Sequence, residues 1–217
     1  MNDTLTTTPS MTIRDMLFGD LPMDYWPSGD AAEIPWQQFR QARTFTQLGQ
    51  HEAAGSLLQL ILNAPGLESR HYLQAWHFIR QGGMQLNFPA ELYGMVVEVA
   101  MDEGLDLLAV YTDGSARYYN YSGSGIVWDM PDEEVGGKIS HILEQGRQIM
   151  RQIGPWEGDR PPAPTSGKAR INLLTSHGLY FGEAPQMALF NDGLAGPTMY
   201  AMLDLMQTLM RRSQSKN

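Results

Sequence analysis

The chain has 217 residues, 42% hydrophobic and 18% charged, and its 15 Lys+Arg against 24 Asp+Glu leave a net charge of −9. That length suits one large or two small domains with ample core, and an acidic chain without a basic stripe repels phosphate backbones, so no nucleic-acid partner is expected. The lack of cysteine excludes disulfides, thiol catalysis and cysteine-ligated metals. No apolar run approaches the length of a bilayer span. Residues 1–25 lack the basic start and apolar core of a signal peptide. No membrane partner is expected, and a cytoplasmic location is.

In chain order, residues 1–34 read as an irregular N-terminal segment. Five hydroxyl residues in 1–10 predict disorder there. Thr12 to Phe18 predicts a short helix with Thr12 as N-cap and Asp15 three residues on. Asp20 to Ile34 predicts an irregular connection whose Met23, Tyr25 and Trp26 dock onto the body. Residues 35–88 form a helical region. Pro35 suits a helix first turn; Trp36, Phe39, Ala42, Phe45 and Leu48 keep helical spacing up to Gly49. Ala54, Leu57, Leu58, Ile61 and Leu62 mark a second helix broken at Pro65-Gly66. Tyr72, Leu73, Trp76 and Ile79 mark a third, closed by Gly82-Gly83. Leu48-Gly49, Ala54, the stripe behind it and Pro65 loosely resemble the spacing of one tetratricopeptide repeat. The resemblance covers about one such repeat and implies a helical hairpin, with one further helix after it.

Residues 89–217 read as an α+β domain. Leu92 to Met101 is a strand, or a helix start followed by a strand. Leu107 to Asp129 is a meander: a β-prone run, an Asp113-Gly114 hairpin turn, a tyrosine-rich return over 116–121, a Gly/Ser turn and a third run at Ile126 to Trp128. A helix follows from Asp129 or Pro131, its first turn rich in carboxylates. The proline-rich stretch 154–167 is a linker. After it come strands at Ala169 to Thr175, Leu179 to Phe181 and Met187 to Phe190, then a helix over Gly193 to Met210. Thr112-Asp113-Gly114 aligns with Ser176-His177-Gly178, and Trp128-Asp129 falls near Phe190-Asn191. These matches predict an internal repeat, 92–153 and 168–212. The expected fold is an antiparallel sheet of six or seven strands, with two long helices on one face and the N-terminal helices as cover for the other.

Residues that carry chemistry are scattered. His51-Glu52 opens like a zincin motif, but Gly55 stands where the second histidine belongs, and one ligand is offered where catalytic zinc takes three. His71 reads as a surface group, His77 as wedged beside Trp76, and His141 as partly buried. There is no nucleophile elbow, phosphate loop or dinucleotide fingerprint; Ser122 to Gly125 is followed by a strand, so it reads as a turn. Neither a cofactor nor a metal is expected. The positions singled out for ligand or partner contact are Asp113, Arg117, Tyr119, Tyr121 and His177. They combine ionisable turn tips with tyrosines that offer area at low entropic cost.

The chain is therefore expected to be a non-catalytic protein-binding or scaffold module, its partner another protein or a second copy met at an edge strand. The alternative is a small-molecule-binding sensor or enzyme with a cleft between the two repeats, using Asp113, Arg117, Tyr119 and His177.

Overall fold

The computed structural model describes residues 12–22, 34–84, 86–129 and 132–214. The disorder expected over 1–10 and the docking of Met23, Tyr25 and Trp26 lie outside those residues. Thr12 and Asp15 cap each other: the Thr12 N–H donates to Asp15 Oδ2 at 3.0 Å, and the Asp15 N–H to Thr12 Oγ1 at 3.3 Å. The expected short helix is one 3₁₀ turn, Asp15–Leu17.

Three helices follow: α1 (Trp36–Gln47), α2 (His51–Asn63) and α3 (Ser69–Gln81). Gly49 ends α1 at positive φ, the left-handed conformation that helix ends favour, whereas α2 stops at an extended Ala64 before Pro65. α1 packs on α2 as a hairpin, the form that the repeat-like spacing implies, and α2 packs on α3. Phe39, Leu58, Ile61, Phe78 and Ile79 fill the space between them.

The rest runs β1 (Leu92–Ala100), β2 (Leu105–Tyr111), β3 (Ala116–Tyr119), β4 (Gly125–Trp128), α4 (Glu133–Met150), β5 (Lys168–Thr175), β6 (Gly178–Pro185), α5 (Gln186–Asn191) and α6 (Gly196–Gln214). The fold is α+β, with six α-helices and one open six-stranded sheet among the described residues. Strand order is β4-β3-β2-β1-β5-β6 and every pairing is antiparallel. α4 starts at the Asp132 N-cap, whose carboxylate accepts the Val135 N–H.

One expected strand is not a strand. Met187 to Phe190 lies in α5. Four apolar residues fit a buried strand and a helix segment equally, and here Pro185 ends β6 and sets the helix entry. α5 buries Leu189 and brings the Phe190 ring to 5.1 Å from Tyr200 on α6. The second half therefore contributes two strands to the sheet.

Side-chain alternation divides the sheet into two faces. Met95, Val97, Leu108, Val110, Ile171 and Leu173 meet α4 and α6 in the largest apolar cluster, so both long helices lie on one face, as expected. On the other face Val96, Leu107, Ala109, Tyr111 and Leu174 pack against Leu17, Phe18 and Leu73. α3 supplies Leu73, while Leu17 and Phe18 come from the N-terminal segment, so the helical region shares this cover instead of providing it alone.

Tyr111 is fully buried and its hydroxyl donates to Leu17 O at 2.7 Å. Gly94 stands opposite it on β1. A Cβ at Gly94 would sit 2.6 Å from Tyr111 Cδ1 and 2.9 Å from Val110 O, one of them backbone. Gly94→Ala is expected to cost about 1–3 kcal/mol through overpacking, measured as a lower denaturation midpoint. An unchanged midpoint would mean that the ring is not held against this glycine.

Candidate ligand-binding cleft

Glu98 lies in β1 with no exposed surface. A buried carboxylate must be neutralised and hydrogen-bonded. Arg14 pairs with it from the N-terminal segment and Arg170 from the neighbouring strand β5, and Asn172 Nδ2 donates to it at 3.0 Å. The same arginines have donors left over. Arg14 Nη2 donates to Pro161 O at 2.9 Å and Arg170 Nη1 to Pro162 O at 2.8 Å. Two carbonyls of the proline-rich stretch are thereby tied to the sheet face.

That stretch is held at two further places. Arg160 donates to Asp20 at 2.7 Å and to Asp15 at 2.8 Å, and its guanidinium lies 4.4 Å over the Phe18 ring. The Trp156 N–H donates to Leu179 O on β6 at 2.7 Å, and its ring meets Phe181 at 5.1 Å. Burial raises the Asp15 carboxyl, but hydrogen bonds from Thr12 and Arg160 outweigh it and hold the group below its ordinary value.

Between this stretch, the end of α3, residues 18–22 and the turn joining β5 to β6 lies a cleft of about 750 Å³. Its walls are aliphatic and aromatic at Phe18, Leu73, Trp156, Leu174 and Leu179. Its polar groups include His77 and Arg80 from the last turns of α3 and His177 from the turn tip, with Arg14, Asp15, Asp20, Asp159 and Arg160 on the side of the proline-rich stretch. Arg80 Nη1 donates to Ser176 O at 2.7 Å. Burial pulls the Arg80 guanidinium down to about 10, against the opposing pull of Asp20. Burial also lowers His77; Asp20 and Asp159 oppose that shift, and Arg80 and Arg160 add to it. His177 Nδ1 is 3.0 Å from Ser176 Oγ, and its ring meets Phe88 at 5.1 Å.

Of the positions singled out from sequence, His177 lines this cleft and the other four do not. Asp113 sits at the opposite end of α3. Its carboxylate accepts the Ser69 N–H at 2.6 Å and the Ser115 N–H at 2.8 Å. Burial raises that carboxyl, and the bonds from Ser115 and Ser69 outweigh it, so the group lies below its ordinary value. Arg117 is buried, donates to the Ala116 and Trp128 carbonyls, and pairs with Asp129. The Tyr119 ring covers Gly125, where a Cβ would clash at 2.2 Å. Tyr121 is 53% exposed in the turn after β3, its N–H donating to Asp106 at 2.8 Å.

The histidines depart from their expected settings. His77 meets Phe78 edge-on at 5.2 Å and faces the cleft, whereas wedging beside Trp76 was expected. His71 is half-buried against Trp36, not on the surface. His141 is exposed, 3.0 Å from Gln145. Sequence reading missed Arg14, His77, Arg80, Trp156 and Arg160 as cleft residues. The one local signal was Glu98, a charge inside an apolar strand.

Among the described residues no three His, Asp or Glu side chains gather as a metal site, and no helix is long and apolar enough to cross a membrane. Comparisons with protein-family models, with curated proteins and with solved structures each find no match.

The two lowered histidines make a pH prediction. Burial lowers His71 as well, with Glu68 and Asp113 opposing and Arg70 adding. The unfolded chain then binds protons at the ordinary histidine value of 6.5 while the folded chain resists them. Their stabilising effect is complete above that value and is lost as pH falls through it. The lowered carboxylates respond only at more acid pH. The denaturation midpoint is expected to drop between about pH 7.5 and pH 5.5, and His77→Gln to flatten that drop. A midpoint that holds or rises would contradict this.

Proposed function

We propose that this protein is a non-catalytic small-molecule-binding module that takes its ligand in the cleft beside α3. The observation that supports it is convergence. Four separate stretches of chain bring polar side chains and apolar walls to one concavity, whose volume falls within the range of ligand pockets. This is the small-molecule alternative drawn from the sequence, with the cleft moved. It lies between α3, the proline-rich stretch and one hairpin turn, and of the residues first named for it only His177 is retained.

A second reading, a protein partner or a second copy of the chain, draws on a different surface. Met187 is 67% exposed and Tyr200 58%, with Leu203 and Met210 on the same side of α6 as Tyr200.

We also infer that the two halves are copies of one unit. Support comes from the turns at 112–114 and 176–178, which place Gly114 and Gly178 at positive φ, and from α4 and α6 entering one core. A superposition that leaves the turns or these helices out of register would remove that inference.

The cleft reading is tested by titrating neutral and charged aromatic fragments into the labelled full chain. Chemical-shift changes are expected to cluster at Trp156, His177 and Leu179, and Leu179→Trp, which fills the cleft, to weaken binding at least about tenfold. Changes that cluster instead on Met187 and Tyr200, together with a dimer in light scattering that Tyr200→Asp dissociates, would overturn it in favour of the second reading.

A further inference from the structure

The arginines that ring this cleft are not alike. Arg14 and Arg160 each hold a carboxylate. Arg80 has none within ion-pair distance among the described residues, and its one hydrogen bond there goes to the Ser176 carbonyl. A guanidinium carries five donor hydrogens in a planar fork, so most of those of Arg80 are unspent. The group lies along the turn beside Gly178: a Cβ there would be in ordinary contact with it, 3.7 Å from Nε and 3.9 Å from Cζ. It is half-buried and lines the cleft, with His77 one helical turn before it and His177 on the turn tip. Burial pulls the group below its ordinary value but leaves it charged at neutral pH. Asp20 is the carboxylate that acts on it, and Asp20 is itself engaged by Arg160.

We propose that the cleft binds a small organic carboxylate with an apolar body, the carboxylate seated on the Arg80 fork beside His77 and His177, the body against Trp156 and Leu179. This rests on the cleft being the binding site. The fork matches a carboxylate with two parallel hydrogen bonds. The His77 imidazole, which burial holds below its ordinary value, and the His177 imidazole supply further ring N–H donors. The aromatic and aliphatic walls select a ligand with an apolar body over a bare ion. A phosphate dianion fits less well, because Asp20 and Asp159 stand on the same rim and the chain is strongly acidic.

The test uses the labelled full chain and three probes: hydrocinnamate, its neutral analogue hydrocinnamide, and inorganic phosphate. Hydrocinnamate is expected to bind saturably, shifting the Trp156 indole and the His177 to Leu179 amides, at least about tenfold more tightly than the amide. Arg80→Gln is expected to remove that preference. Arg80→Lys, which keeps the charge and a donor for Ser176, is expected to retain part of it and guards against loss of fold in the first variant. Equal affinity for acid and amide, or full affinity in a folded Arg80→Gln, would overturn the carboxylate assignment while leaving the cleft as a binding site. Phosphate displacing hydrocinnamate at equal or lower concentration would overturn it in favour of a phosphate ligand. Saturable binding of neither acid nor amide would overturn both this inference and the reading beneath it.

Discussion

Glu98 is a charge placed where water cannot reach it, on β1, one of the two central strands. Two arginines and an asparagine answer that charge, and their arrangement propagates outward. Each arginine has more donors than one carboxylate can accept, and each gives a surplus donor to a carbonyl of the proline-rich stretch. The carbonyls of Pro161 and Pro162 are free for such a role because these residues belong to no helix or strand. A segment with no regular structure is thus tied across the sheet, and its Arg160 and Trp156 become a wall of the cleft. Removing one partner of such a buried group costs about 3–5 kcal/mol, so the wall inherits the strength of the charge cluster beneath it.

α3 forms the facing wall by a related economy. Its first residue is gripped by the β2–β3 turn, through Ser69 and the Asp113 carboxylate. Near its last residue, Arg80 reaches the carbonyl of Ser176 in the β5–β6 turn. The 13 residues of α3 span about 20 Å between the two turns. Asp113 and His177, which the sequence offered as one site, therefore stand at opposite ends of a helix. One turn secures the helix, and the other, with Arg80 beside it, borders the cleft.

What the sequence disclosed follows from the range of each interaction. The Asp113-Gly114 hairpin, the β-prone run of β2 and the carboxylate-rich start of α4 are set by neighbours a few residues apart, and they were legible. α5 was not, because Met-Ala-Leu-Phe satisfies both periodicities, and the break at Pro185 together with packing on α6 decides between them. The cleft was hidden for a stronger reason. Glu98 shows itself as a charge in an apolar strand, but its partners Arg14 and Arg170 are 84 and 72 residues away. Arg80 reads locally as an ordinary cation in the last turn of a helix, where the dipole favours one. Only the packing of α3 against the sheet, which brings residue 80 to the turn at 176, distinguishes it.

The central claim is that the buried Glu98 cluster positions the proline-rich stretch. Amide hydrogen exchange in Glu98→Gln tests it most directly, because the substitution removes the charge while keeping the shape and a hydrogen bond to Asn172. The account predicts that the Trp156 amide, bonded to Leu179, exchanges at least about tenfold faster, while the amides of α4 and α6 on the opposite face keep their protection. A folded Glu98→Gln whose Trp156 amide is as protected as in the parent chain would contradict it.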